Sequence, residues 1–365
     1  MQYLIISSEF PPGPGGIGMH AYCMTKGLLH NGVCVTVVCS IDYAVEDEIE
    51  SFLSTIPNGI QVNRIKRNGI ITYINRVITI LQSCGKKDYD KIILTGRFSL
   101  WMGWLLKIVL RKDIHTIAFV HGSELNMGSS MAKWFTKKSL QIADVCYAVS
   151  AYTKSLIEKS GIKREIRVLP NGLDINTWQD MDSVQPFAWQ GSPKLLTVGS
   201  ITQRKGQHNV IKSLPTLKQK YPDVHYHIVG KGDIKKLASM VDELGLQKNV
   251  TFHGKLNDAD IKRTYKSVDV LCMLSELAAN GDVEGFGIAA LEANIAGIPV
   301  IGSERTGLAD AIQNGITGRL INPHNANALL NAMEDLLNSD KSTLAANCKA
   351  WVSQHDWRLL AKQLL

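Results

Sequence analysis

The chain has 365 residues, 45% hydrophobic and 20% charged. That is enough to bury the cores of two domains and excludes a disordered or collagen-like polymer. Forty Lys and Arg (40) against 33 Asp and Glu give a net charge of +7, which suits an anionic ligand or membrane surface and is too mild to imply nucleic acid. Cys23, Cys34, Cys39, Cys84, Cys146, Cys272 and Cys348 contain no CxxC pair, so buried free thiols in a reducing compartment are expected rather than a disulfide framework or metal site.

Met1–Ile6 reads directly as a strand, without a basic leader and cleavage site. A cytoplasmic location, with peripheral attachment at the inner face of a membrane, is therefore expected. The most apolar stretch, Trp101 to Leu110, is interrupted by Lys107 and is about half the length that spans a bilayer. Short apolar, β-branched runs alternate with helical stretches. In the first half they predict strands near 2–8, 33–39, 91–95, 115–120, 145–149 and 166–169. Asp180–Pro193, with two prolines and a glycine, reads as a linker. A second series follows near 194–199, 225–230, 250–253, 268–274, 298–302 and 318–321.

The pattern predicts an α/β chain of two Rossmann-like, doubly wound parallel-sheet domains. They are expected at 1–180 and 194–350, with a C-terminal helix over 352–365 completing the first. Ligands of open parallel sheets bind at the carboxyl ends of the strands, so a cleft between two such edges is the expected site.

Four constellations fall at those ends. Pro11–Gly18, containing Gly15 and Gly16, follows the first strand and precedes a helix. It suits an anion at a helix N-terminus, and a tight turn explains it equally well. It does not match a dinucleotide fingerprint, because the proline cluster is foreign to it. Val120-His121-Gly122-Ser123-Glu124 ends another strand and places His121 where it can bond a sugar hydroxyl or simply cap the strand. Arg204 and Lys205, after the first strand of the second series, suit a diphosphate, Arg by a two-pronged contact and Lys as a point charge. In Asp282–Ala293, Glu284 and Glu292 flank a Gly-rich turn. A helix starting near Gly287 puts Glu292 in its second turn and aims its first N–H groups at a phosphate.

In order along the chain, EFPPGPGGIG, VHGSE, ADVCYAVS, VLPNGLD, VGSITQRKG, VGKGD, FHGKL, EGFGIAALE and GIPVIGS resemble the retaining GT-B-fold glycosyltransferases. These include bacterial mannosyl-, glucosyl- and N-acetylglucosaminyltransferases, and the DVEGFG context is similar to phosphatidylinositol mannosyltransferases. The resemblance implies a nucleoside-diphosphate sugar as co-substrate, no other cofactor and no metal. It also implies a lipid-linked or glycan acceptor, as in cell-surface polysaccharide assembly. By the same resemblance Gly15 and Gly16 lie by the donor phosphate or acceptor, and His121 contacts the transferred sugar. Arg204 and Lys205 neutralise the leaving diphosphate, and Gly254, Lys255 and Leu256 read the base. Glu284 holds sugar hydroxyls, the backbone of Phe286, Gly287 and Ile288 holds sugar and phosphate, and Glu292 holds the ribose. Ser200 stands where some members carry Arg.

Basic residues interleave with aromatics in the first half, at Arg64, Lys66 and Arg67, at Trp101, Trp104, Lys107, Arg111 and Lys112, and at Lys133, Trp134, Phe135, Lys137 and Lys138. That pattern suits an anionic membrane surface, and equally a core stripe with a solvated face. Three other functions compete: a nicotinamide-dependent oxidoreductase, which leaves both the glutamate pair and the Arg-Lys pair unexplained; a non-catalytic sugar-nucleotide-binding partner subunit; and a sugar-nucleotide epimerase.

Overall fold

Runs such as Tyr3-Leu4-Ile5-Ile6 and Val35-Thr36-Val37-Val38 are buried on both sides, as parallel strands covered by helices on two faces must be. The computed structural model describes residues 1–365 except 14, 41–44, 67–70, 87, 110–113 and 127. Two compact units form. The first comprises Met1–Asp174 with Asp356–Leu365, and the second Ile175–His355.

The first unit holds β1 (Gln2–Ser7), β2 (Cys34–Ser40), β3 (Ile60–Ile65), β4 (Lys91–Thr95), β5 (His115–Val120), β6 (Val145–Ala148) and β7 (Arg167–Val168). They pair in parallel in the order β3-β2-β1-β4-β5-β6-β7. Its helices are α1 (Gly16–His30), α2 (Glu46–Ser54), α3 (Ile71–Lys86), α4 (Arg97–Trp104), α5 (Ser123–Asn126), α6 (Ser130–Ile142) and α7 (Ala151–Lys159).

The second unit holds β8 (Lys194–Val198), β9 (His225–Val229), β10 (Val250–Gly254), β11 (Val270–Met273), β12 (Val300–Ser303) and β13 (Gly318–Ile321), in the order β10-β9-β8-β11-β12-β13. Around this sheet lie α8 (Gln207–Lys218), α9 (Lys235–Glu243), α10 (Asp258–Lys266), α11 (Ile288–Ile295), α12 (Leu308–Ala311), α13 (Ala326–Asn338) and α14 (Lys341–Ser353). Leu195, Tyr226, Val270 and Ile301 of the strands share one core with Val210, Leu214, Leu329 and Met333 of α8 and α13.

The α/β class with two Rossmann-like parallel sheets is thus the observed one, and every expected strand is present. Three details differ from the sequence reading. β3 was not expected; it is an edge strand with only Ile65 buried, so it lacks the continuous apolar run that marks the others. The segment expected as a linker packs inside the second unit. There the Trp189 ring stacks on His227 (4.5 Å) and His253 (4.2 Å), and Arg263 lies over Phe187 at 3.9 Å. The chain changes unit at Asp174 and Ile175, and α14 belongs to the second unit. All seven cysteines are free, six of them buried and Cys34 exposed.

The closing helix, Trp357–Leu360, is capped by Asp356, whose carboxylate accepts from the Arg358 N–H. It lies on α1, where the absence of a side chain at Gly27 admits the Trp357 backbone; a Cβ there would come within 2.4 Å of the Trp357 carbonyl oxygen. Trp357 is fully buried beside His20. Trp357→Ala should therefore destabilise the first unit by about 3–5 kcal/mol. Urea unfolding followed by a probe in that unit should show an earlier midpoint, while the second unit's transition stays in place.

Candidate functional site

In a sheet whose strands all run parallel, every βα loop emerges on the same edge. In the second unit that edge collects the loop after β8 with Arg204 and Lys205, the end of β10 with Gly254, Lys255 and Leu256, and the loop after β11 with Glu284, Phe286 and Gly287. The carboxylate of Glu284 is buried between the two cations. Its Oε2 accepts from Arg204 Nη1 at 2.5 Å and from Lys205 Nζ at 2.7 Å. Arg204 Nε also donates to Asp282 at 2.9 Å. The fork shape of guanidinium lets it hold two carboxylates at once; two of its five N–H groups account for these contacts.

Burial alone would raise the Glu284 carboxyl pKa, but Lys205 and Arg204 outweigh it and hold it below the ordinary 4.5. Glu284 in turn raises the Arg204 guanidinium. The loop is fixed from a further side by Glu276. That residue accepts from Gln203 (3.0 Å), Asn209 (3.1 Å) and His208 (3.3 Å), and its own N–H donates to the Arg204 carbonyl at 3.0 Å.

Helix α11 starts where the Gly-rich turn predicted. Gly287 caps it with φ +93, and a Cβ there would lie 2.4 Å from the Leu308 side chain. No side chain caps the helix and no acid occupies its first turn, which leaves that end electropositive. Glu292 is half-buried in the second turn, and its Oε2 accepts from the buried Tyr265 hydroxyl at 2.7 Å. Burial raises its pKa, and the Tyr265 bond partly offsets that. Gly254 accepts from the Gly230 N–H at 2.8 Å, while Lys255 is exposed.

The first unit has its own carboxyl-edge cluster. His121 follows β5, and its Nε2 lies 2.8 Å from the hydroxyl of Thr95, the last residue of β4. Its ring meets that of His20 edge-on at 4.8 Å. His20 Nδ1 lies 2.8 Å from the side-chain Oδ1 of Asn171, a contact in which a protonated Nδ1 donates and the amide oxygen accepts. Burial lowers both imidazoles, His20 to about 4 and His121 well below 6.5, the second also through His20; both are neutral at pH 7. The His121 N–H donates to the Glu124 carboxylate at 3.1 Å. Gly15 caps α1 with φ +129 and faces Glu9, whose carboxylate a Cβ would strike, whereas Gly16 has no atom within 4 Å of the place a Cβ would occupy.

The sequence-predicted residues therefore gather at two sheet edges: Gly15, Gly16 and His121 on the first, and Arg204, Lys205, Gly254, Lys255, Leu256, Glu284, Phe286, Gly287, Ile288 and Glu292 on the second. Asp282, Glu276, Tyr265, Thr95, His20 and Asn171 were not singled out. Only Asp282 and Asn171 sit inside recognisable motifs; the others are identified by contacts that the fold creates.

Residues 14–177 match the family described as "Glycosyltransferase Family 4", and residues 181–351 match "Glycosyl transferases group 1". The chain belongs to the GT-B glycosyltransferases. It is 28% identical to the GDP-mannose-dependent alpha-(1-6)-phosphatidylinositol monomannoside mannosyltransferase of Mycolicibacterium smegmatis, over 92% of this chain and 88% of that one. It is 26% identical to an uncharacterized glycosyltransferase of Methanocaldococcus jannaschii, over 100% of this chain and 96% of that one. Among solved structures, sucrose-phosphate synthase from Thermosynechococcus elongatus superposes with a TM-score of 0.81 at 22% identity, covering 100% and 97% of the two chains. Anabaena HepE in complex with UDP and glucose does so with 0.78 at 21%, covering 100% and 98%. These structures share the fold of this chain.

The lowered Glu284 pKa has a consequence for stability. The fold favours the charged carboxylate, so this contribution is fully present above the ordinary carboxylate range and is lost as pH falls through the depressed value. The melting-temperature difference between the wild-type glycosyltransferase and Glu284→Gln should be constant above about pH 6 and shrink below about pH 4. Parallel thermal melts across that range check it.

Proposed function

We propose that this glycosyltransferase moves a hexose from a nucleoside diphosphate to a lipid-linked acceptor or cell-surface glycan precursor, with retention of anomeric configuration and without a metal ion. The observation that carries this reading is the pair of cations, Arg204 and Lys205, beside the uncapped N-terminus of α11. Departure of a nucleoside diphosphate places negative charge on the leaving phosphate as the sugar becomes oxocarbenium-like. Fixed cations and helix N–H groups stabilise that charge more than the ground state.

In this reading the phosphate takes N–H groups of Arg204 and Lys205 beyond those held by Glu284 and Asp282. The backbone of Phe286, Gly287 and Ile288 binds the sugar and phosphate, and Glu284 meets the sugar hydroxyls. Glu292, aligned by Tyr265, holds the ribose. The segment Gly254, Lys255 and Leu256 borders the base. His121 is neutral, so it can accept from or donate to a sugar hydroxyl without adding charge. Gly15 and Gly16 leave room for acceptor or phosphate. The mannose donor and lipid acceptor named in the mycobacterial relative support GDP-mannose and a lipid acceptor as the first substrates to test.

The test is incubation with GDP-mannose and UDP-hexoses together with phosphoinositide or polyprenyl-phosphate acceptors, with the anomer of the product read by NMR. The product should keep the anomeric configuration of the donor and form in the presence of a chelator. Lys205→Ala and Glu284→Gln should each lower turnover by about a hundredfold or more. Near-normal turnover in both, or an inverted product, contradicts the reading.

A further inference from the structure

A nucleoside-diphosphate sugar brings two ionised phosphates to its site, and the charges described so far at the carboxyl edge of the second sheet do not balance them. Arg204 and Lys205 are matched by Glu284 and Asp282. Glu276 adds a third acid, and its His208 partner, pushed below 6.5 by burial, is neutral at pH 7. An anion arriving there meets a cluster without net positive charge. Its binding calls for a further cation at the same edge, one that no carboxylate has engaged.

The strand ladder places one. Beyond the ends of β8 and β9 the two chains stay paired: the Gly199 N–H donates to the Val229 carbonyl at 2.9 Å, and the Ile201 N–H to the Lys231 carbonyl at 2.8 Å. These bonds continue the register of Val198 with Val229, so Lys231 stands directly across from Ser200, a neutral residue. Glycines in Val229-Gly230-Lys231-Gly232-Asp233 permit the approach; a Cβ on Gly230 would come within 1.9 Å of the Gly199 carbonyl oxygen. Lys205 borders the same ladder, its Nζ 3.7 Å from the point a Gly199 Cβ would occupy. On the other side of β8 lies β11, where the Met273 side chain is 3.2 Å from the place of a Cβ on Gly287. The start of α11 therefore flanks β8 on one side and Lys231 on the other.

Lys231 is exposed, and among the described residues no carboxylate pairs with it. The nearest acid in sequence, Asp233, accepts instead from the Lys235 N–H at 3.0 Å. Lys255 after β10 and Arg305 after β12 are also exposed, each two strands from β8. The basic and aromatic segments marked in the first half belong to the first unit. There Arg64 is turned inward onto Phe10 and the Pro11 carbonyl, and Lys107 pairs with Asp144. Trp134 is exposed and Trp101 half-buried, while Arg67, Arg111 and Lys112 lie outside the described residues.

We propose that Lys231 is the unpaired cation that receives the donor diphosphate on the β9 side of the site. This role rests on the reading of that edge as the phosphate site. Neighbouring strands lie about 4.8 Å apart, within reach of the four-carbon lysine stem, which lets the ammonium move over Ser200 when an anion is present and stay hydrated otherwise. Arg204 and Lys205 can then remain tied to their carboxylates while the edge still favours a diphosphate. A solvated, uncompensated charge also attracts the donor from a distance and loses that attraction in salt.

Calorimetric titration in chelator with GDP and UDP, their monophosphates and the free nucleosides tests this. Lys231→Ala should weaken diphosphate binding about fivefold at low salt and less at high salt. Nucleoside affinity and melting temperature should be unchanged, and Lys231→Arg should keep most of the wild-type affinity. Lys248→Ala removes the same charge from an exposed position at the amino end of the sheet, before β10, and should bind as the wild type does. Diphosphate affinity that survives Lys231→Ala overturns the role of Lys231 alone, as does a loss shared with the nucleoside or with Lys248→Ala. A wild type that binds diphosphate no tighter than monophosphate contradicts the phosphate-site reading itself, and the role of Lys231 with it.

Discussion

Two cations held side by side at the end of a parallel sheet repel one another and, half removed from water, lose much of their hydration. This edge of the second sheet depends on the solution to that problem, which is the buried carboxylate of Glu284 shared between Arg204 and Lys205. Its contact distances are those of charge-assisted hydrogen bonds. Asp282 takes the guanidinium Nε and Glu276 secures the loop from behind. Removing one partner of such a buried cluster leaves the others uncompensated, a larger loss than the net worth of the pair. Glu284→Ala therefore disturbs the whole cluster, and Glu284→Gln is the cleaner probe.

In the proposed reading the same arrangement lets the site meet an anion without collapsing beforehand. The acids nearest the cations, Glu284 and Asp282, balance their formal charge, so no strong excess of positive charge strains the unliganded loop. On that reading, attraction for a phosphate comes from N–H directions beyond the two carboxylates and from the start of α11. These groups are already in place, so little reorganisation is required during reaction. On the first unit the logic is different. Thr95 and Asn171 orient the buried, neutral imidazoles of His121 and His20 by hydrogen bonding, and the Glu124 carboxylate meets the backbone N–H of His121.

Much of this was legible in the chain. Buried parallel strands need continuous β-branched runs, and those runs located nearly the whole of both sheets. The Gly-rich turn before Ile288 located the start of α11 and with it Glu292. β3 escaped because an edge strand alternates polar and apolar residues instead of running apolar throughout. The pairing of Arg204 with Asp282 and Glu284 escaped because it joins residues about eighty positions apart, which only the order of β8 beside β11 brings together. Tyr265 sits in no motif and meets Glu292 only through a hydroxyl-to-carboxylate bond between residues 27 positions apart. The outward turn of Trp134 and the inward turn of Trp101 share the same periodicity, so spacing could not separate them.

The account turns on Arg204 and Lys205 receiving the phosphate that leaves. Calorimetric titration with a nucleoside, its monophosphate and its diphosphate, in chelator, measures this directly for whichever base binds. The diphosphate should bind at least about tenfold tighter than the monophosphate, a difference of about 1.4 kcal/mol, and Lys205→Ala should erase most of that step while leaving nucleoside affinity unchanged. Equal affinity for mono- and diphosphate in the wild type, or a step that survives in Lys205→Ala together with Arg204→Ala, would contradict it.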